Sequence, residues 1–261
     1  MDQGADWIVF EHPLSERIRF LLRLEFLFTQ YQHQRADSSA WGLRANLHTL
    51  LEILSVMGRA DLRTELMKEI FEQHAGLTRL SKRPDVNHER LAEVLRDLNL
   101  AAAELQSMGN ASPAMVLREN EFLFAILNRS SIPGGACGFD LPAYYRWLAR
   151  PQAETQRDLA SWYASLVPLE YAITLYLRLL RDSTQPVSQV AEGGVFLHVP
   201  QANYQMVRVM VPASADVYPE ISAGKHRVAV RFMRLGDVNT RNVQANGSIA
   251  FRLQCCLLSS H

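Results

Sequence analysis

Lys225-His226-Arg227-Val228-Ala229-Val230-Arg231-Phe232-Met233 alternates apolar and polar side chains with a period of two. That is the repeat of a β-strand, in which successive side chains point to opposite faces. Val228, Val230 and Phe232 fall on one face; Lys225, Arg227, Ala229 and Arg231 fall on the other. An antiparallel sheet with one buried and one wet face shows this pattern. At roughly 3.3 Å per residue, the two arginines stand about 13 Å apart along the strand. A guanidinium makes forked hydrogen bonds to carboxylates and phosphates, so the ladder could engage successive acidic groups on a peptide or a nucleic acid. An ordinary solvated sheet face is the simpler reading on spacing alone.

Working outward, Val195 to Val199, Tyr204 to Val211 and Ile249 to Cys255 also read as short strands. Turn residues Pro212, Gly224, Gly236 and Asn246-Gly247 separate them. The stretch Trp7 to Phe10 is extended and apolar, and could add a strand to the same sheet. Leucine and valine divide the chain near Pro186: residues 1–184 hold 31 Leu and 6 Val, residues 185–261 hold 5 Leu and 12 Val. β-Branched side chains lose freedom against a helical turn but pack well on a pleated sheet, so helix gives way to strand at that point.

The leucine-rich part reads as helices over about 15–33, 38–57, 60–79, 86–108, 114–129, 142–149, 155–166 and 169–182. Ser15 is the expected cap of the first, in which Ile18, Leu22, Glu25 and Phe26 lie approximately in line and Arg19 and Arg23 share another face. The Pro133-Gly134-Gly135 segment reads as an ordinary turn, and Tyr144, Tyr145 and Trp147 as helix-packing aromatics. The expected fold is α+β. An N-terminal helical bundle domain, residues 1–184, packs against a C-terminal antiparallel β-rich domain, residues 185–261.

Charge is balanced at 27 Lys+Arg against 27 Asp+Glu, which excludes a globally basic nucleic-acid binder. Locally, residues 1–184 carry a formal charge of −3 and residues 185–261 carry +3. The strand-rich part is therefore the basic one. The apolar run Phe20 to Phe28 is interrupted by Arg23 and Glu25 and falls short of the ~20 residues that span a bilayer. No secretion signal opens the sequence, so a cytosolic location is expected. Cys137, Cys255 and Cys256 spell neither a disulfide framework nor a zinc site and read as free thiols. The sequence has no HExxH, GxSxG, CxxC, GxxxxGK[ST] or GxGxxG pattern, so neither an enzyme, a metal nor a cofactor is expected.

Several motifs occur together in order: Phe10-Glu11-His12-Pro13-Leu14, Arg63-Thr64-Glu65-Leu66, Ser131-Ile132-Pro133-Gly134-Gly135 and Phe139-Asp140-Leu141-Pro142. They are followed by Pro151-Gln152-Ala153, Tyr218-Pro219 and Arg231-Phe232-Met233. This series resembles the ZapD family, bacterial proteins associated with the tubulin-like division protein FtsZ. The resemblance implies a non-enzymatic homodimer at the midcell division ring. It would bind the acidic and apolar C-terminal tail of FtsZ and cross-link protofilaments into bundles that stabilise the Z ring, without nucleic acid or membrane insertion. The basic binding surface of the family corresponds to Arg19, Arg23, Arg59, Arg227 and Arg231, and the strand-face argument adds Lys225. Glu121 and Tyr145 depart from the family pattern, which has Arg and His there. From a different class, a single-stranded nucleic-acid-binding protein using the same basic sheet face is the alternative.

Overall fold

The computed structural model describes residues 6–58, 62–81, 83–109, 113–224, 226–236 and 239–258. Its elements run in the order β1 (Trp7–Pro13), α1 (Glu16–Gln34), α2 (Ala40–Met57), α3 (Leu62–Leu80), α4 (His88–Ser107), α5 (Pro113–Arg118), α6 (Glu121–Arg129), α7 (Pro142–Leu148), α8 (Gln152–Ala164) and α9 (Val167–Asp182). Strands follow: β2 (Val187–Ala191), β3 (Val195–His198), β4 (Met206–Pro212), β5 (Tyr218–Ala223), β6 (Val228–Arg234), β7 (Val243–Gln244) and β8 (Ile249–Cys256). The fold is α+β, helices first and antiparallel sheets after, as the leucine-to-valine switch requires.

The described residues form two compact units, one from residues 6–19 with 178–258, the other from within residues 20–177. The last helix ends at Asp182 and the next strand starts at Val187, whereas the strand-rich unit begins earlier and takes in β1 and the last turn of α9. Trp7–Pro13 does add a strand, pairing antiparallel with β4 from Trp7 opposite Pro212 to Pro13 opposite Met206.

In the strand-rich unit, one sheet has the order β1-β4-β8-β2, and the other has β3-β6-β5 with β7 pairing the end of β6. Their inner faces share one core of Val207, Val209, Val211, Val228, Val230, Phe232, Phe251 and Leu253. Phe251 meets Phe196 and Phe232 with ring centroids 5.1 and 5.0 Å apart. The β2–β3 connection is Gly193-Gly194, with φ of +59° and +74°, values open to glycine at no steric cost. A side chain at 194 would also strike the Ala245 carbonyl. This two-residue turn, with Val195 N–H donating to the Glu192 carbonyl at 3.1 Å, fixes where β3 begins.

In the helical unit, α2 is apolar on most sides and is correspondingly sunk in the core through Leu47, Leu50, Leu51, Ile53 and Leu54. Its buried Thr49 is satisfied: the hydroxyl donates to Gln34 Oε1 and accepts from Gln30 Nε2, both at 2.8 Å. Ser15 caps α1 as expected, its Oγ accepting from Ile18 N–H at 3.2 Å. The buried stripe of α1 is Ile18, Leu21, Leu24, Phe28 and Tyr31, whereas Phe26 is 65% exposed. The core contact thus lies on the 18-21-24-28 side and leaves the expected line through Phe26 facing water.

The expected single helix over 114–129 is two helices, α5 and α6. Asn120 divides them by turning its side chain back to accept from Leu123 N–H at 3.1 Å, an N-cap that starts a new helix. Three strands carried no expectation: β2, β5 and β7. Pro219 and Glu220 interrupt the apolar pattern of β5, while β7 is only two residues long.

Candidate functional site: the outer face of the β3-β6-β5 sheet

Val228, Val230 and Phe232 are fully buried, which places Ala229, Arg231 and Met233 on the opposite, outer face of β6. Register supplies their neighbours. Arg231 is opposite Val195 on β3 and Glu220 on β5, and Ala229 is opposite Leu197 and Ser222. Equal parity puts these side chains on one surface. Arg227 precedes β6, which begins at Val228, and is exposed. One step beyond the last paired residues, His198 and Val228, lie Val199 and Arg227.

The outer face is therefore basic and apolar together. Val195, Leu197 and Val199 are 38%, 62% and 73% exposed. Exposing two aliphatic residues at alternate positions of β3, and a third just past its end, forgoes burial worth about 25 cal/mol per Å². Arg231 is engaged within the chain: its Nε donates to Glu220 Oε2 at 3.1 Å, and its Nη2 reaches the same oxygen. Both partners are about half exposed, so this pair contributes only ~0.2–1 kcal/mol and can exchange with another carboxylate. At the end of the face Tyr218 Oη accepts from Asn242 Nδ2 at 2.7 Å.

Arg19 belongs to the same compact unit and pairs with Glu16 one turn earlier on α1. Arg23, one turn further along α1, is exposed and falls in the helical unit. Arg59 and Lys225, the remaining expected site residues, lie outside the described residues. Arg19, Arg227 and Arg231 are thus the expected cations that one unit holds. The apolar strand beside them and Glu220 were not singled out from sequence. The alternation Val195-Phe196-Leu197-His198-Val199 was the available signal, but an isolated alternation does not say which face is covered.

Below this face, Glu11 joins β1 to the rest of its unit. Its Oε1 and Oε2 accept from Arg181 Nε and Nη2, both at 2.8 Å, and Arg208 Nε lies 2.9 Å from Oε1. Burial alone would raise the Glu11 carboxyl, but hydrogen bonds and positive charge from Arg181 and Arg208 outweigh it and hold the group below the ordinary carboxylate value. The three cysteines are free, and burial pushes the Cys256 thiol up to about 12, leaving it protonated at neutral pH. Among the described residues, no three His, Cys, Asp or Glu side chains stand close enough together to hold a metal ion.

The helical unit has a cavity of about 670 Å³ lined in part by Trp41, Arg44, Arg129, Ile132, Gly135 and Tyr145. The Arg44 guanidinium lies 5.4 Å from the Trp41 ring centroid and 5.0 Å from that of Tyr144. Tyr144 and Trp147 are buried beside the half-buried rings of Phe122 and Trp162, while Tyr145 is exposed. The Pro133-Gly134-Gly135 segment is a turn, closed by Gly135 N–H on the Ile132 carbonyl at 2.8 Å. Glu121 is exposed in the first turn of α6, where a carboxylate suits the helix dipole.

The fold and this face together define an α+β protein with two compact units, one of which presents a mixed basic and aliphatic sheet surface. A family model described as ZapD, cell division protein, matches residues 22–231. The chain is 40% identical over 252 residues to the cell division protein ZapD of Azoarcus sp. strain BH72, covering 96% of this chain and 100% of that protein. It is 38% identical to the ZapD of Aromatoleum aromaticum over 252 residues (96% and 98% coverage) and 37% identical to that of Methylococcus capsulatus over 255 residues (96% and 98%). The chain belongs to the ZapD family of cell division proteins. No helix among the described residues is long and apolar enough to cross a membrane.

Proposed function

We propose that this protein is a non-enzymatic division factor that binds the acidic and apolar C-terminal tail of FtsZ on the outer face of the β3-β6-β5 sheet. As a homodimer in the cytoplasm, it cross-links FtsZ protofilaments into bundles that stabilise the Z ring at midcell. The observation that carries this reading is exposed Arg231 beside exposed Val195 and Leu197 on one face over a fully buried core, with exposed Arg227 and Val199 just past the end of the pairing. Cations select the tail's carboxylates; aliphatic surface receives its apolar side chains. Arg19 and Arg23 on α1, and Arg59 and Lys225, extend the basic character implied by the family. Bundling follows from valency, because two tail sites on one dimer meet filaments that display many tails at high effective concentration, so weak single contacts suffice.

The neighbours of the two arginines are aliphatic, the face carries the Glu220 carboxylate, and its Tyr218 hydroxyl is engaged by Asn242. These features suit a peptide better than stacked bases, which need open aromatic rings.

Titration of a labelled FtsZ tail peptide into wild type, Arg227→Glu and Arg231→Glu tests the reading. Each charge reversal lowers affinity at least about tenfold, since like charges brought together cost several kcal/mol. Melting followed by circular dichroism stays near wild type, because both side chains are exposed. Undiminished affinity in both variants removes this face from the site.

A further inference from the structure

The helical unit has another cavity, of about 430 Å³, beside the C-terminal end of α1. Tyr31 of α1, Arg35 and Asp37 of the segment after it, Leu43 and Asn46 of α2, and Leu159 and Tyr163 of α8 line it. Its size falls within the ~300–1,000 Å³ of small-molecule sites. Asn46 is the unusual member. It is 4% exposed, and its Oδ1 is buried with no hydrogen-bond partner in the chain. Buried polar atoms are almost always paired, because the bond lost to water is not otherwise replaced. Leucine would fill a similar volume without that cost, so packing alone does not account for the amide. The last torsion of an asparagine side chain is broad, which lets the oxygen turn toward a donor in the cavity.

The walls are braced by the chain itself. The rings of Tyr31 and Tyr163 stack with centroids 3.8 Å apart and planes 3° from parallel. The Tyr31 hydroxyl donates to the Leu159 carbonyl at 3.2 Å, and that of Tyr163 to Glu170 Oε2 at 2.7 Å. Arg35 and Asp37 are exposed and of opposite sign, and each is oriented by a neighbour rather than by the other. Arg35 Nη1 donates to Gln32 Oε1 at 2.9 Å, and Asp37 Oδ1 accepts from Ser39 N–H at 2.9 Å. Hydrogen bonds from Ser39 hold the Asp37 carboxyl below the ordinary aspartate value, so it is ionised at neutral pH. Asp37 also packs so closely on Gly42 that a Cβ there would lie 2.3 Å from its carboxyl carbon. Among the described residues, no other charged side chain lines the cavity.

We infer that this cavity binds a small zwitterion, an α-amino acid with an aliphatic side chain. Arg35 takes the carboxylate through its guanidinium fork, Asp37 and the Asn46 oxygen take the ammonium group, and Leu43, Leu159 and Val167 receive the side chain. A simple anion would meet Asp37 and a simple cation Arg35, and like charges brought together are repelled. This site is independent of the sheet face, which belongs to the other unit.

Equilibrium dialysis of the full chain against labelled L-leucine, with unlabelled leucinamide and N-acetyl-leucine as competitors, tests the assignment. Leucinamide lacks the carboxylate and N-acetyl-leucine the ammonium group. The expected result is one saturable site per chain with a Kd of about 1 mM or tighter, for which each analogue competes at least about tenfold more weakly than leucine. Arg35→Met and Asp37→Asn each lower leucine affinity at least about tenfold, and melting stays near wild type because both side chains are exposed. Asn46→Leu lowers affinity at least about fivefold with an unchanged or higher melting temperature, since it removes an oxygen that has no partner. If that variant does not fold, the two exposed ones decide. No saturable binding of leucine up to about 10 mM overturns the assignment, as does an analogue that competes as well as leucine, or wild-type affinity in any folded variant of the three. None of these outcomes bears on tail binding at the sheet face.

Discussion

Replacing Glu220 by Gln releases Arg231 from its cross-strand partner while keeping the shape of β5. The ion pair is exposed, with side chains 56% and 45% accessible, so it holds ~0.2–1 kcal/mol. The same free energy opposes any tail carboxylate that takes Glu220's place. Its removal raises tail affinity by about 1.4- to 5-fold and lowers stability by no more than about 1 kcal/mol. Removing a negative charge also acts on an acidic ligand through space, and a double-mutant cycle separates the two effects. In an Arg231→Ala background, Glu220→Gln leaves only the through-space part, which shrinks as salt is raised beyond a Debye length of about 8 Å at physiological ionic strength. Fluorescence anisotropy of a labelled FtsZ tail peptide at low and physiological salt, with thermal melts of all four proteins, supplies the numbers. Tail affinity that falls or stays level in a well-folded Glu220→Gln protein would refute the exchange of carboxylates at Arg231.

Other substitutions probe the frame that presents this face. Val230→Asp places a carboxylate without a partner among Phe232, Phe251 and the core valines, so it destabilises the strand-rich unit by roughly 3–5 kcal/mol and broadens or abolishes its melting transition. Wild-type stability in that variant would reverse the assignment of faces. Glu11→Gln leaves Arg181 and Arg208 without their carboxylate and costs about 2 kcal/mol at pH 7. Since the folded Glu11 carboxyl is held below the ordinary glutamate value of 4.5, its contribution is complete above that pH and is lost as pH falls through the lower folded value. Acid melts of the variant should therefore show a shallower loss below about pH 4.5 than wild type. Arg23→Ala lowers tail affinity and flattens its salt dependence if α1 contributes to binding, whereas an unchanged slope in a salt-series titration excludes that helix position. A variant made monomeric, as judged by sedimentation, keeps tail binding and loses bundling; a monomer that still bundles FtsZ contradicts cross-linking by a bivalent dimer.

What local sequence determined is whatever depends on neighbours within a few residues. The alternation over 228–232 decided which side of the strand Arg231 occupies, because side-chain direction in a strand repeats every two residues regardless of its partners. The switch from leucine to valine decided where helices end, and Ser15 and Gly134-Gly135 marked a cap and a turn, all short-range effects of rotamer freedom and backbone geometry. Tertiary structure decided what those residues face. Phe26 looked like part of a core stripe, yet the helix packs along Ile18, Leu21, Leu24 and Phe28. Glu11 is joined to Arg181 across 170 residues of chain, and Arg231 to Glu220 through a strand whose Pro219 concealed it. The position of β3 at a sheet edge, with Leu197 and Val199 exposed beside the two arginines, follows from strand order. Order and register are set by which faces bury each other when the sheets close on one core, and no local repeat encodes them.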